Sequence, residues 1–373
     1  MVLQRYIHSP EVTGLKWRGW ERFPLTIDSP SFRQDRAALP AAGRIVSAIA
    51  PVIISASRAT DIPAFYGDWF MDRLRKGYVR WRNPFGGRDQ YVSFKKTRLV
   101  VFWSKNPGPF IRHLPALLEA GLSYYFLYTL NDYEKEGIEP HLPPLDDRIA
   151  TFLELSARLG KGRVIWRSDP LFLSDSLSVS DLLERTRNTG ERIHPYCRRM
   201  VISFIDIEKY GRVKKNLRSH GFGDVREFTN EEMYEYAVGL SGLNRKWGLE
   251  ITTCGEACDL LAYGIGRGQC IGYDIITDEF SGDTELLAFL HGSTPGSGPG
   301  LPGTREGVMH RLKDPGQRSR CGCIVAKDIG QYGTCPHGCL YCYANSSPES
   351  ALNNYQRHIR DLEISGFSDS ILG

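Results

Sequence analysis

The sequence has no long apolar run. Its longest apolar stretch, Arg44 to Ala56, is interrupted by Pro51 and is well short of the roughly 20 residues that a helix needs to cross a bilayer. The opening residues contain no apolar signal core and no small-residue cleavage site, so we expect a cytoplasmic protein with no membrane partner. The sequence also lacks a long run of basic residues, and its net charge of +4 gives little support for a nucleic-acid partner.

The composition, with 41% hydrophobic and 24% charged residues, is typical of a soluble globular protein. Short β-branched or aromatic runs recur along the chain, and each precedes a stretch of helical character. They cover residues 51–57, 99–105, 123–129, 163–168, 200–206 and 248–254. This alternation is typical of a parallel sheet buried on both faces. We therefore predict an α/β fold, a full or partial β/α (TIM-like) barrel of about six strands.

Changes in composition suggest four regions. Residues 1–43 have no steady periodicity and are predicted to be an irregular N-terminal extension. Residues 44–292 are predicted to form the barrel domain, with a hairpin insertion at 78–94. Residues 293–303 read as a flexible Gly/Pro/Ser linker. The cysteine-rich segment 304–373 is predicted to pack on the barrel.

Polar side chains follow most of the predicted strands. The carboxyl ends of parallel strands meet at one rim, where the active sites of barrel folds lie, so these side chains are candidates for binding a cofactor or substrate. An ordinary turn at the end of a strand explains any single one of them about as well. The candidates are Arg58, Lys105, Asn106, Arg167, Asp169 and Glu256.

Five of the nine cysteines lie between Cys321 and Cys342. Three of them, Cys335, Cys339 and Cys342, have the spacing C-x3-C-x2-C, and the aromatic residue Tyr341 directly precedes the last one. A 4Fe-4S cluster needs four iron ligands, so three neighbouring thiolates leave one iron open to a ligand that is not protein. A structural zinc site is the alternative, although zinc sites usually offer paired C-x2-C units.

This motif resembles the cysteine loop of the radical S-adenosylmethionine (SAM) superfamily. The resemblance implies a 4Fe-4S cluster whose open iron binds SAM, reductive cleavage of SAM to a 5′-deoxyadenosyl radical, and an electron donor such as ferredoxin or flavodoxin. The superfamily generally carries its loop near the start of the barrel, whereas here it lies about 30 residues from the end of the chain. A circularly permuted order, with residues 324–329 as the strand before the loop, would account for the difference.

The chain resembles a bacterial family of domains of unknown function more closely. The likeness covers roughly residues 51 to 345 and is carried by the stretches ISASRATDIPAFYGDWF, FWSKNPGPF, RVIWRSDP and RCGCIVAKDIGQYGTCPHGCLYCYAN. It implies no particular substrate.

Four other cysteines form a second candidate set, made of Cys254, Cys270, Cys321 and Cys323. If the C-terminal segment packs on the barrel rim, they could ligate an auxiliary 4Fe-4S cluster with no open iron. A zinc ion or unligated buried thiols are the alternatives. Cys258 could replace one ligand or donate a hydrogen atom to a substrate radical, although a buried structural side chain is the simpler interpretation. Cys197 is expected to be structural.

These observations favour a radical SAM enzyme acting on an unidentified substrate. One alternative is a zinc-stabilised module that binds nucleic acid or protein. A second is a nucleic-acid repair enzyme similar to the spore photoproduct lyases. His337, inside the cysteine loop, is expected to donate a hydrogen bond to cluster sulfur rather than to bind metal.

Overall fold

A computed structural model of the chain describes residues 20–27, 44–292 and 305–373. The predicted linker at 293–303 and most of the predicted N-terminal extension lie outside these ranges. One part of the extension, which was predicted to be irregular, is a strand: Glu21–Ile27 pairs antiparallel with Arg44–Ala50.

The main sheet contains eight strands among the described residues, and all its neighbouring strands are parallel. In spatial order they are β11, β10, β9, β8, β7, β6, β3 and β12. Six of them correspond to the six predicted runs, so the α/β class and the parallel sheet are confirmed. The bounds are β3 Ile53–Ala56, β6 Leu99–Ser104, β7 Ser123–Thr129, β8 Val164–Leu171, β9 Arg199–Phe204, β10 Glu250–Thr253, β11 Ile265–Arg267 and β12 Lys327–Asp328.

The central strands are apolar throughout because both faces of the sheet are covered. On one face, Val100, Phe102 and Phe126 pack into the larger buried cluster. On the other, Val101 and Leu127 pack into a second buried cluster that includes residues of the C-terminal segment. Continuous apolar strands of this kind are expected only where the sheet is buried on both sides.

The sheet is not closed. Within the described ranges no strand pairing joins β11 to β12. Of the two predicted alternatives, the full barrel is therefore not formed. The two edges nevertheless approach each other, because the N–H of Ile324 donates to the carbonyl of Ile271 at 2.9 Å. The strand predicted at 324–329 is present only as Lys327–Asp328, which pairs with β3.

The described residues also form a second sheet of four strands, in the order β1-β2-β5-β4. It includes the predicted hairpin at 78–94, formed by the antiparallel pair β4 and β5. Its bounds are β1 Glu21–Ile27, β2 Arg44–Ala50, β4 Tyr78–Arg82 and β5 Asp89–Ser93.

Eleven α-helices occur in the described part of the chain. Asp61 caps the first by accepting from the N–H of Ala64, and Thr229 and Glu232 form a capping box at the start of another helix. None of the helices in these ranges is both long and apolar enough to span a membrane. Their bounds are α1 Ile62–Phe65, α2 Gly67–Lys76, α3 Leu114–Glu119, α4 Leu145–Leu159, α5 Val179–Ile193, α6 Gly211–Ser219, α7 Asn230–Trp247, α8 Tyr273–Glu279, α9 Thr284–His291, α10 Arg305–Leu312 and α11 Pro348–Ser365.

Candidate functional site

The loop carrying Cys335, Cys339 and Cys342 follows β12, at the carboxyl edge of the main sheet. Its ends are joined by a hydrogen bond from the N–H of Gly333 to the carbonyl of Ala344 at 2.9 Å. The hydroxyl of Tyr66 donates to the carbonyl of Thr334 at 2.6 Å. These contacts hold the cysteine loop against the first helix and the end of β3.

The three thiols lie close enough to act on one another. Besides burial, an ionised Cys335 or Cys342 would raise the pKa of Cys339, and an ionised Cys342 would raise the pKa of Cys335. Burial is the largest cause in each case, and the pKa of Cys335 is raised to about 12. The thiols are therefore expected to be neutral until a metal displaces their protons.

Backbone N–H groups act on two of these sulfurs in the opposite direction. Those of His337 and Asp61 lower the pKa of Cys335, and those of Ala344 and Asn345 lower the pKa of Cys342. N–H donors aimed at sulfur stabilise a thiolate and are among the groups that tune iron–sulfur clusters. The loop thus brings three thiols together with N–H groups directed at two of them.

His337 lies inside the cysteine loop and is held by a carboxylate from the other end of the chain. Its Nε2 lies 2.8 Å from Oδ2 of Asp61, and both side chains are almost fully buried. The same carboxylate accepts from the Ser104 hydroxyl at 2.7 Å and the Lys105 N–H at 2.8 Å. One buried acid therefore joins the end of β6 to the cysteine loop.

Lys105 belongs to a second buried polar group beside the loop. Its Nζ donates to Oε1 of Glu139 at 2.7 Å and to the hydroxyl of Tyr341 at 2.9 Å, and Tyr341 also donates to Glu139. Burial alone would raise the pKa of Glu139, but the Lys105 charge and hydrogen bond lower it. Glu139 lies in the irregular connection between β7 and α4, away from any predicted strand end, so no sequence pattern indicated it.

The second cysteine set lies where the two edges of the open sheet approach each other. Cys254 follows β10, Cys270 follows β11, and Cys321 and Cys323 precede β12. The sulfurs of Cys254 and Cys270 are 3.5 Å apart. The Cys254 hydrogen bond acts to lower the pKa of Cys270, hydrogen bonding with Cys323 and burial act to raise it, and its pKa lies at about 11. Cys321 in turn hydrogen-bonds with Cys323, which lowers the pKa of Cys321. The structure therefore brings all four together.

Two arginines and a tryptophan border this second set. The guanidinium carbons of Arg58 and Arg167 lie 4.9 Å and 5.0 Å from the ring centre of Trp103. Nη1 of Arg167 donates to the sulfur of Cys270 at 2.7 Å, and Arg167 also pairs with Asp169. Among the sequence candidates, Arg58, Arg167 and Asp169 thus lie at the second cysteine set, and Trp103 was not predicted.

Three other sequence candidates are placed elsewhere. The N–H of Asn106 donates to Ser104, within its own turn. Glu256 accepts from the N–H of Phe204 at 3.2 Å, and burial raises its pKa to about 7. Cys258 hydrogen-bonds with Tyr234 and is not grouped with the four cysteines. Cys197 is buried, and its thiol contacts the carbonyl of Ile193.

Neither cysteine set is a ready site for a single ion. In the described ranges, no three or more His, Cys, Asp or Glu side chains are arranged to hold one metal ion. A lone zinc requires its ligands to converge at about 2.3 Å from one point, whereas a 4Fe-4S cluster takes one thiolate on each of several irons. The sulfurs of Cys254 and Cys270, which are 3.5 Å apart, would have to separate for each to bind its own iron.

The fold and the cysteine loop define an α/β protein with a parallel eight-stranded sheet and a thiol-rich site at its carboxyl edge. Comparison with protein families places the chain among its relatives: residues 53–344 match the family described as domain of unknown function (DUF1848). Because the match spans most of the chain, the protein belongs to that family. The search of curated proteins found no match. The search of solved structures found none either.

Proposed function

We propose that this protein is a radical SAM enzyme whose 4Fe-4S cluster is held by Cys335, Cys339 and Cys342. The observation that supports it best is the grouping of three thiols in one loop, of which Cys339 is buried and the other two are half-buried, with backbone N–H groups aimed at two of the sulfurs. A local set of three thiolates leaves one iron without a protein ligand. The proposal includes a one-electron donor of the ferredoxin or flavodoxin type.

The order of the strands supports the proposal in part. Apart from β12, neighbours in the main sheet follow one another in the chain, which is the order of a β/α barrel opened between β11 and β12. The cysteine loop follows β12, which lies next to β3. If the chain were permuted so that β12 came first, its loop would come at the start of the barrel.

Cys335, Cys339 and Cys342 would hold such a cluster, whose open iron would be chelated by SAM and which would supply the electron that converts SAM to methionine and a hydrogen-abstracting 5′-deoxyadenosyl radical. The chain's own residues hold the surroundings of that reaction. Asp61 fixes the loop through His337. Lys105 and Glu139 present both signs of charge beside Cys339, and these suit the carboxylate and amino groups of SAM.

The test is anaerobic reconstitution of the full chain with iron and sulfide, followed by incubation with SAM and dithionite. Wild type is expected to form 5′-deoxyadenosine, and Cys339→Ala is expected to form none. Cys197→Ala is the matched control, because Cys197 is also buried but contacts Ile193 instead of either cysteine set. A protein that holds iron in the loop and forms no 5′-deoxyadenosine would refute the proposal.

A further inference from the structure

We propose that Cys254, Cys270, Cys321 and Cys323 hold a second 4Fe-4S cluster that joins the two edges of the open sheet, and that Arg58, Trp103 and Arg167 donate hydrogen bonds to it. The proposal does not rest on radical SAM chemistry, because the four thiols and their neighbours are independent of the loop at 335–342.

The first support is the position of the thiols. They come from three separate segments, the ends of β10 and β11 and the approach to β12. Buried cysteines that serve only as small apolar side chains have no reason to converge from three segments. Here a hydrogen-bonded series runs from Cys254 through Cys270 and Cys323 to Cys321.

The second support is a set of N–H donors that need an acceptor. Nη2 of Arg58 and Nε1 of Trp103 are buried and have no hydrogen-bond partner in the described part of the chain. A buried donor without a partner is unfavourable, so an acceptor is expected beside these two groups. Arg167 already donates to the Cys270 sulfur. The acceptors are therefore expected on the side of these donors that faces Cys270.

The third support is charge. A four-thiolate centre is an anion in a buried place, and an isolated buried charge is strongly unfavourable. The guanidinium groups of Arg58 and Arg167 both lie over the ring of Trp103, and the charges of Cys323 and Cys270 both act on Arg58. These two guanidinium groups, which also pair with Asp328 and Asp169, are cations that face the four thiols.

Four thiolates saturate the irons, so this second cluster has no open iron and suits electron transfer rather than binding SAM. Binding releases the four thiol protons and separates the sulfurs of Cys254 and Cys270, because each must reach its own iron. The cluster would also connect residues that follow β11 with residues that precede β12, at the place where strand pairing is missing.

Iron and sulfide counts on reconstituted full-length variants test the cluster. The triple variant Cys335→Ala, Cys339→Ala, Cys342→Ala lacks the first site and is expected to keep about four irons per chain, while wild type holds about eight. The double variant Cys321→Ala, Cys323→Ala is expected to keep about four at the first site. One zinc, or no iron, in the triple variant would overturn the proposal, even if wild type formed 5′-deoxyadenosine. Four irons in the triple variant would uphold it, even if wild type formed none.

The role of Arg58, Trp103 and Arg167 as hydrogen-bond donors is tested in that triple variant. The reduction potential of its cluster is measured by electron paramagnetic resonance during a redox titration. Adding Arg58→Gln removes a positive charge and should lower the potential, and adding Trp103→Phe removes one N–H and should lower it less. Arg187→Gln, at an exposed ion pair, is the control and should leave it unchanged. Equal potentials with and without Arg58→Gln, at full iron content, would refute the donor role.

Discussion

The carboxylate of Asp61 and the imidazole of His337 meet at 2.8 Å although they lie 276 positions apart in the chain. Asp61 also caps α1 through the N–H of Ala64, and it accepts from Ser104 and from the N–H of Lys105. Its four hydrogen bonds connect the start of a helix, the end of a strand and the cysteine loop. A change at this one carboxylate should therefore affect both stability and the loop.

Asp61→Asn should lower the free energy of unfolding by about 3 kcal/mol. The amide has no charge, and its NH2 group would face the hydrogen-bond donors that the carboxylate now accepts from. Urea denaturation of the apoprotein measures this. Asp283→Asn is the matched control, since Asp283 also caps a helix, α9, and pairs with Arg98, whose side chain is one-third exposed, and its loss should cost about 1 kcal/mol.

The same pair of variants separates the loop from the cap. Asp61→Asn should reduce the iron bound on reconstitution, because His337 is no longer held, whereas Asp283→Asn should bind as much iron as wild type. Equal losses of stability and equal iron contents in the two variants would contradict the role given to Asp61.

Local patterns predicted much of this architecture. Apolar runs such as that at 123–129 coincide with buried strands, since a strand covered on both faces must be apolar along its length. The capping box at Thr229 and Glu232 is likewise a local signal, because both partners lie within one helical turn. The strand at Glu21–Ile27 was missed because its ladder partner, Arg44–Ala50, is distant in sequence and its own pattern is weak.

The candidate site was predictable in its cysteines and in the strand-end residues Arg58, Lys105, Arg167 and Asp169. Spacing identified the loop at 335–342 and grouped the other four cysteines, and the structure brings those four together. Two partners that surround them were not predictable, because Glu139 comes from an irregular connection and Trp103 reads as one more apolar residue of β6. Their positions depend on contacts between distant segments, which periodicity does not record.

Lys105 and Glu139 form a buried pair whose strength can be compared with an exposed one. Their side chains are 18% and 4% exposed, while those of Arg158 and Glu154 on α4 are 52% and 48% exposed. Removing one partner of a buried pair leaves the other charge uncompensated and costs about 3–5 kcal/mol. We therefore expect Lys105→Met to destabilise the apoprotein by that amount.

A double-mutant cycle of Lys105→Met and Glu139→Gln should give a coupling energy above about 1 kcal/mol, since the double variant no longer buries an unpaired charge. The cycle at Arg158 and Glu154 should give about 0.3–0.5 kcal/mol. Chemical denaturation of the apoproteins measures both. Coupling no larger for the buried pair than for the exposed one would show that water still screens Lys105.

Lys327 on β12 is a buried lysine whose ionisation should make stability depend on pH. It is 6% exposed, and burial lowers its pKa to about 7. The ring of Trp81, 3.1 Å from Nζ, favours the charged form and opposes this shift. Between about pH 7 and the ordinary lysine pKa of about 10.4, the unfolded chain holds a proton on this side chain that the folded chain has lost. The free energy of unfolding therefore rises with pH across that window, by at most about 1.4 kcal/mol per pH unit from this group.

Lys327→Met should remove this contribution, so the difference in stability between wild type and variant should grow in favour of wild type as the pH rises from 7 to 10. Urea unfolding of the apoproteins at several pH values measures the difference, in which the titration of the cysteines cancels. Lys76→Met, at a lysine that is 44% exposed, is the control and should give a difference that does not change with pH. A constant difference for Lys327→Met as well would mean that the contact with Trp81 keeps the ammonium charged in the folded protein.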